Sequence, residues 1–84
     1  MSKIWVADYK GHTIQVENSW RGEKLVVDGV VQDEHYGFAT RATLWGRIKS
    51  EGGEVEEIKA NLGQIFTVQC RLFVDNQAVA VTRQ

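Results

Sequence analysis

Apolar and polar residues alternate along most of this chain, with the period of two that is typical of β-strands. The alternation is longest in residues 63–74, where Phe66, Val68, Cys70, Leu72 and Val74 recur at every second position. A strand with one apolar face must bury that face against a second layer. Residues 63–74 therefore predict a long strand in a sheet that packs on another sheet.

The first half of the chain predicts two hairpins. Residues 4–9 and 12–17 alternate around Lys10-Gly11, and the second segment turns Ile14 and Val16 inward. Two β-branched runs flank Asp28-Gly29, a pair that suits a two-residue turn because both of its positions take positive φ. Between and after these hairpins, residues 18–22 predict a polar loop with an exposed Trp20, and residues 33–37 interrupt the strand pattern.

The second half predicts further strands. Residues 38–49 alternate, and the residues on one face are Phe38, Thr40, Ala42, Leu44, Gly46 and Ile48, while those on the other are Arg41, Thr43, Trp45, Arg47 and Lys49. Residues 55–60 predict a short acidic strand, paired with the basic strand across Gly52-Gly53; a single helical turn is the alternative. Turns are expected at residues 61–63 and at Asp75-Asn76, with a last strand over residues 78–82.

About eight short strands with frequent turn signals predict an all-β fold, namely an antiparallel β-sandwich or a partly open barrel formed by residues 1–84 as a single β domain. The expected core comprises Ile14, Val16, Leu44, Phe66, Val68, Cys70 and Leu72.

Composition narrows the class of protein. Eighty-four residues suffice for one small core, and the net charge of -1 exerts no overall pull on nucleic acid or anionic lipid. One cysteine cannot form an internal disulfide, and no apolar run approaches the ~20 residues of a membrane helix. We therefore expect a cytoplasmic protein without a signal segment and without membrane contact.

Several segments resemble the Fas apoptosis inhibitory molecule family. The likeness lies in residues 5–8 leading to residues 11–17, in residues 22–29, and in residues 66–68 followed by residues 72–76. Residues 33–60 depart from that pattern, and Asn76 stands where the family tends to have glycine. The resemblance implies a compact antiparallel β-sandwich without enzymatic chemistry that acts through protein interaction; it transfers no catalytic residue.

Candidate chemistry is sparse. Cys70 is expected on the core face, where burial raises the pKa of a thiol, and the three serines lack a glycine elbow. Asp33-Glu34-His35 places two carboxylates beside an imidazole, but one short run in a solvated loop offers poor metal geometry, and His12 is expected to be a residue that ends a turn. We predict no enzymatic activity, no catalytic residue, no cofactor and no metal.

The basic strip of residues 41–49 is the candidate binding site, with Arg41, Trp45 and Arg47 as its main residues and Trp20 as an additional one. It has three interpretations: a cover for the core, a protein-binding surface, or a surface for single-stranded nucleic acid or a small ligand. We expect a protein-interaction module that binds a partner or its own copy, partly because Trp5, Trp20, Trp45, Ile65 and Phe73 are placed on outward faces. Nucleic acid is the disfavoured partner because the acidic strand at residues 55–59 is expected to pair with the strip, so that its Glu residues neutralise the arginines.

Overall fold

The computed structural model describes residues 2–37, 41–65 and 67–84, leaving out the side chains of residues 64, 65 and 67. Within these residues the fold is all-β, as predicted. The strands are β1 (Lys3–Tyr9), β2 (His12–Ser19), β3 (Gly22–Val27), β4 (Val30–Tyr36), β5 (Arg41–Lys49), β6 (Val55–Ile65), β7 (Thr67–Val74), β8 (Gln77–Val79) and β9 (Thr82–Arg83).

These strands form two antiparallel sheets. One has five strands in the order β4-β3-β2-β1-β9, and the other has four in the order β5-β6-β7-β8. The chain passes from the first sheet to the second between β4 and β5 and returns between β8 and β9. The last strand, β9, then pairs with β1, with Arg83 opposite Trp5 and Thr82 opposite Val6. The two inner faces supply the core that the sandwich prediction requires.

Three predicted turns are confirmed. Lys10-Gly11, Asp28-Gly29 and Asp75-Asn76 all have positive φ at both positions, with values between 48° and 82°. The primed turns that this backbone forms match the twist of the strands they join. The predicted loop over residues 18–22 is shorter than expected, because β2 and β3 stay paired up to Ser19 and Gly22.

The core is continuous between the sheets. Its buried apolar residues are Trp5, Ala7, Ile14, Val16, Leu25, Val27, Leu44, Ile48, Ile58, Ala60, Leu62, Leu72 and Val74. Of the predicted core residues, Val68 and Cys70 are only half-buried and pack against this cluster, and Phe66 lies outside the described residues. The expectation that Trp5 faces outward is wrong: its exposed fraction is 5%, because β1 turns Trp5, Ala7 and Tyr9 toward the core.

Two predicted breaks are strands instead. Residues 61–65 continue β6, so the single strand predicted over residues 63–74 is wrong: its first part pairs with β7 in antiparallel register. The strand continues because Ile58, Ala60 and Leu62 are buried in the core at alternate positions, and this burial outweighs the preference of polar Asn61 for a turn. Likewise, residues 33–36 continue β4 along β3. The predicted strand over residues 55–60 is confirmed as the first part of β6. The expectations for Phe38 and Thr40 fall outside the described residues.

Side chains from the five-stranded sheet hold the backbone of β5. A bulge in β4 leaves Gln32 between the pairs Leu25–Asp33 and Val26–Val31. The Gln32 amide accepts a hydrogen bond from the Arg47 N–H at 2.6 Å and donates to the Arg47 carbonyl at 2.8 Å. Asp33 Oδ2 accepts a bond from the Trp45 N–H at 2.8 Å. These bonds replace a missing neighbouring strand at the edge of the sheet and fix the positions of Trp45 and Arg47.

Candidate binding surface

The outer face of the four-stranded sheet collects positive charge. Because Leu44, Ile58 and Leu72 point into the core, the residues beside them in sequence point outward. We call this outer surface the cationic face; its residues are Arg41, Thr43, Trp45, Arg47, Lys49, Val55, Glu57, Lys59, Asn61, Gly63, Gln69, Arg71, Phe73 and Ala78. It holds five of the ten Lys and Arg residues of the chain and one of the eleven acidic residues.

Trp45 lies in the middle of this face and is 49% exposed, so it belongs to the surface. Its cross-strand neighbour is Lys59, and the neighbour of Lys59 on the next strand is Phe73. The Lys59 ammonium lies 6.0 Å from the centroid of the Trp45 ring and 5.1 Å from that of Phe73. This cation–π arrangement holds a positive charge between two aromatic rings.

The predicted pairing of the basic strand with the acidic strand is confirmed, but it neutralises less charge than expected. Glu57 lies opposite Arg47 on the cationic face. Glu56 points to the other side of β6, where its Oε1 accepts a hydrogen bond from Lys10 Nζ at 2.7 Å. Glu54 precedes the strand. The alternation that exposes the cations of β5 therefore keeps most of the neighbouring carboxylates off the same face.

The structure does not bring Trp20 to this face. It lies in the turn between β2 and β3 of the other sheet, is 75% exposed, and has the Arg21 guanidinium 5.1 Å from its ring centroid. Of the predicted binding residues, Arg41, Trp45 and Arg47 share one surface, and Trp20 belongs to another.

Sequence reasoning missed two central members of the cationic face, Lys59 and Arg71. Both were placed on strands, but their position beside β5 depends on the strand order β5-β6-β7. The position of Lys59 could have been predicted, because pairing the residues of a hairpin outward from the Gly52-Gly53 turn places Lys59 opposite Trp45. Arg71 offers no such local signal, since the end of β6 differs from the predicted one.

The side chains with chemistry that catalysis could use include Cys70, Asp33 and His35. Burial raises the pKa of the Cys70 thiol to about 12, so at neutral pH it is protonated and a poor nucleophile. Asp33 and His35 lie in β4, not in a solvated loop, with Asp33 Oδ2 3.7 Å from His35 Nε2. The same oxygen accepts the Trp45 N–H. Among the described residues, no group of three or more His, Cys, Asp and Glu side chains is arranged to hold a metal ion.

His12 contacts the backbone at the C-terminal end of β5. Its Nδ1 lies 2.6 Å from Asp28 Oδ2, and its Nε2 lies 3.1 Å from the Lys49 carbonyl oxygen. Both partners are acceptors, so the ring can donate to both only when it carries a proton on each nitrogen. The hydrogen bond to Asp28, followed by that to Lys49, raises the pKa of His12, and the same contact with His12 lowers the pKa of Asp28.

This contact predicts a pH-dependent stability. The stabilising contribution of His12 is fully present below its ordinary pKa of about 6.5 and is lost as the pH rises through the higher folded value. The contribution of Asp28 is present above its ordinary pKa and is lost as the pH falls through the lower folded value. We expect the stability gap between the wild type and His12→Gln, measured by urea unfolding, to narrow from pH 6 to pH 9. A gap that is constant or widens over this range would contradict the doubly donating ring.

The fold and this surface define a small antiparallel β-sandwich with one aromatic, cationic sheet face. The chain matches no protein-family model, and neither the curated proteins nor the solved structures contain a significant match. The resemblance to the Fas apoptosis inhibitory molecule family therefore stays a prediction. Within the described residues, the chain has no helix whose length and apolar character would let it cross a membrane.

Proposed function

We propose that this protein is a non-enzymatic interaction domain, acting in the cytoplasm, whose cationic face binds an acidic segment of another protein. One observation carries the proposal: five cations and a single acid surround the half-exposed Trp45. Tryptophan and arginine are the residues that most often dominate the binding energy of protein interfaces. Opposite charge on the partner would speed association and orient it.

The backbone bonds beneath Trp45 support this role. The Trp45 and Arg47 N–H groups bond to Asp33 and Gln32, so the strand that presents both side chains is already ordered before a partner arrives. A strand that is ordered before binding loses less conformational entropy when the partner binds. Symmetric pairing of two copies through this face is disfavoured, because two cationic faces would repel each other.

Single-stranded nucleic acid is the second candidate. Trp45 and Phe73 lie on strands separated by β6, so their backbones are about 10 Å apart, and bases could stack on both rings. Against this reading, the Lys59 ammonium lies over both rings and would have to move before a base could stack. An acidic side chain could instead pair with Lys59 where it is.

Fluorescence anisotropy with two labelled probes, a Glu-rich peptide containing leucine and a twelve-nucleotide oligo-dT, tests the proposal. We expect the peptide to bind and Trp45→Ala to weaken its binding about 30-fold, the effect of losing about 2 kcal/mol at an interface hot spot. Since this substitution removes no charge, the loss would not reflect general electrostatic attraction. Trp20→Ala is the matched control, because Trp20 is exposed on the other sheet.

Two results would contradict the proposal. Equal peptide affinity of the wild type and Trp45→Ala would remove Trp45 from the site. Tighter binding of oligo-dT than of the peptide, with an affinity that falls steeply as salt rises, would favour nucleic acid instead.

A further inference from the structure

A depression of about 450 Å³ opens in the cationic face at the end where β5 begins. Among the described residues, its lining consists of Arg41, Ala42, Thr43, Asn61, Leu62, Gly63, Gln69 and Arg71. Two of these residues are cations and none is acidic. The depression therefore carries a concentrated positive charge on a domain whose net charge is -1.

Gly63 forms the floor. It lies opposite Arg41 on one side and Gln69 on the other, and its neighbour Leu62 points into the core. A Cβ atom added at Gly63 would meet no atom of the described residues within 4 Å, and the φ of Gly63 is not in the left-handed region. The backbone therefore does not require glycine here; what glycine provides is open space between the flanking side chains.

The polar groups around this floor are mainly donors. Arg41 and Arg71 lie diagonally across it, on the strands to either side of β6, and both are exposed. The Thr43 hydroxyl donates to Asn61 Oδ1 at 3.0 Å, so the amino end of the Asn61 amide is the end that can donate to a ligand. Neither guanidinium forms an ion pair with a carboxylate of the described residues.

We propose that this depression is a binding site for a phosphate group. A phosphate monoester carries close to two negative charges and three acceptor oxygens at neutral pH, which matches two guanidinium groups and an amide N–H₂. A carboxylate carries only one negative charge, so it would leave one of the two positive charges unbalanced. The depression is larger than a phosphate ion, so it has room for part of the molecule that carries the phosphate.

If the proposed function, on which the following step rests, is combined with this site, phosphorylation of the partner affects its binding. Thr43, which lines the depression, lies two residues before Trp45 in β5, so an acidic partner segment that lies across Trp45 would also reach the depression. A phosphorylated side chain in that segment would then bind here, so phosphorylation of the partner would strengthen the complex.

NMR titration of the protein with O-phosphoserine tests the site alone. At pH 7.5 we expect saturable shifts of the Arg41 and Arg71 Nε–H signals and of the Asn61 side-chain amide. Lowering the pH to 5 should weaken binding, since the second phosphate pKa is about 6. Acetate at equal ionic strength should produce no saturable shift, whereas inorganic phosphate should shift the same signals, because the proposed site recognises the phosphate group itself.

Three variants separate a built site from general attraction. Arg71→Gln should raise the Kd for O-phosphoserine about tenfold or more, because it removes charge-assisted hydrogen bonds. Gly63→Leu keeps every charge but fills the depression, and it should abolish binding in a folded protein. Arg83→Gln, on the five-stranded sheet, should change nothing. Unchanged affinity in Gly63→Leu, or equal weakening by Arg83→Gln and Arg71→Gln, would overturn the proposal.

Failure of the phosphate site and failure of the proposed function give different results. Gly63→Leu should still bind the unphosphorylated Glu-rich peptide through Trp45, but it should no longer bind a phosphoserine-containing version of the peptide more tightly than the unphosphorylated one. Binding of O-phosphoserine by a protein that binds neither peptide would support the phosphate site and remove the acidic protein partner.

Discussion

Gly22→Ala is expected to lower the free energy of unfolding by roughly 3 kcal/mol or more, the largest loss we predict for a single methyl group. Gly22 has a φ of 141°, in the region that favours glycine. An added Cβ would lie 1.8 Å from the carbonyl oxygen of His35 and 3.0 Å from the Cα of Tyr36. Both obstacles are backbone atoms of the paired strand, so β3 and β4 would have to separate.

Thermal denaturation measures this loss. In a domain of this size, 1 kcal/mol corresponds to about 4–8 °C, so the midpoint should fall by about 12 °C or more. Gly52→Ala is the control, since its added Cβ meets none of the structurally described atoms within 4 Å and its φ is not positive. Similar midpoints for the two variants would mean that β3 and β4 do not approach as closely as described.

Leu44→Ala is expected to cost about 2–5 kcal/mol, because it empties a fully buried position in a core between two sheets. Its neighbour Trp45 points the other way and is half-exposed, so Trp45→Ala should cost much less stability despite removing a larger side chain. Urea unfolding of both variants measures the difference. A greater loss in Trp45→Ala than in Leu44→Ala would reverse the assignment of the two faces of β5.

The hairpins were predictable because their signals are local. Asp28-Gly29 and Asp75-Asn76 adopt the positive φ values that their residue types favour, and alternating residues such as Ile14 and Val16 point inward as the period of two requires. The alternation in β5 also placed Arg41, Trp45 and Arg47 on one face. Each of these inferences needs only residues that are close in sequence.

The errors occurred where tertiary burial outweighs local composition. Residues 61–63 are of types that favour a turn, yet they continue β6 because Leu62 is buried in the core. Asp33 looked like a loop residue, yet its carboxylate bonds to the backbone of the opposite sheet. Such contacts depend on which strands face each other, and alternation alone does not specify that arrangement.

Net charge was the least informative quantity. A total of -1 predicted no attraction for anions, but the cations gather on one sheet face and most carboxylates lie elsewhere. At physiological salt a charged molecule interacts mainly with surface charges within about 8–10 Å, so the local distribution of charge matters more than the net charge. The distribution follows from the strand register, which brings Lys59 and Arg71 beside the basic strand.

NMR titration with the Glu-rich peptide shows whether the cationic face around Trp45 binds an acidic segment, because the backbone amide signals change most where the peptide lies. We expect the largest shifts at Trp45, Lys59 and Phe73 and at their neighbours on β5, β6 and β7. Shifts centred on Trp20 and Tyr36, or spread evenly over all surface cations, would exclude the cationic face as the specific binding site.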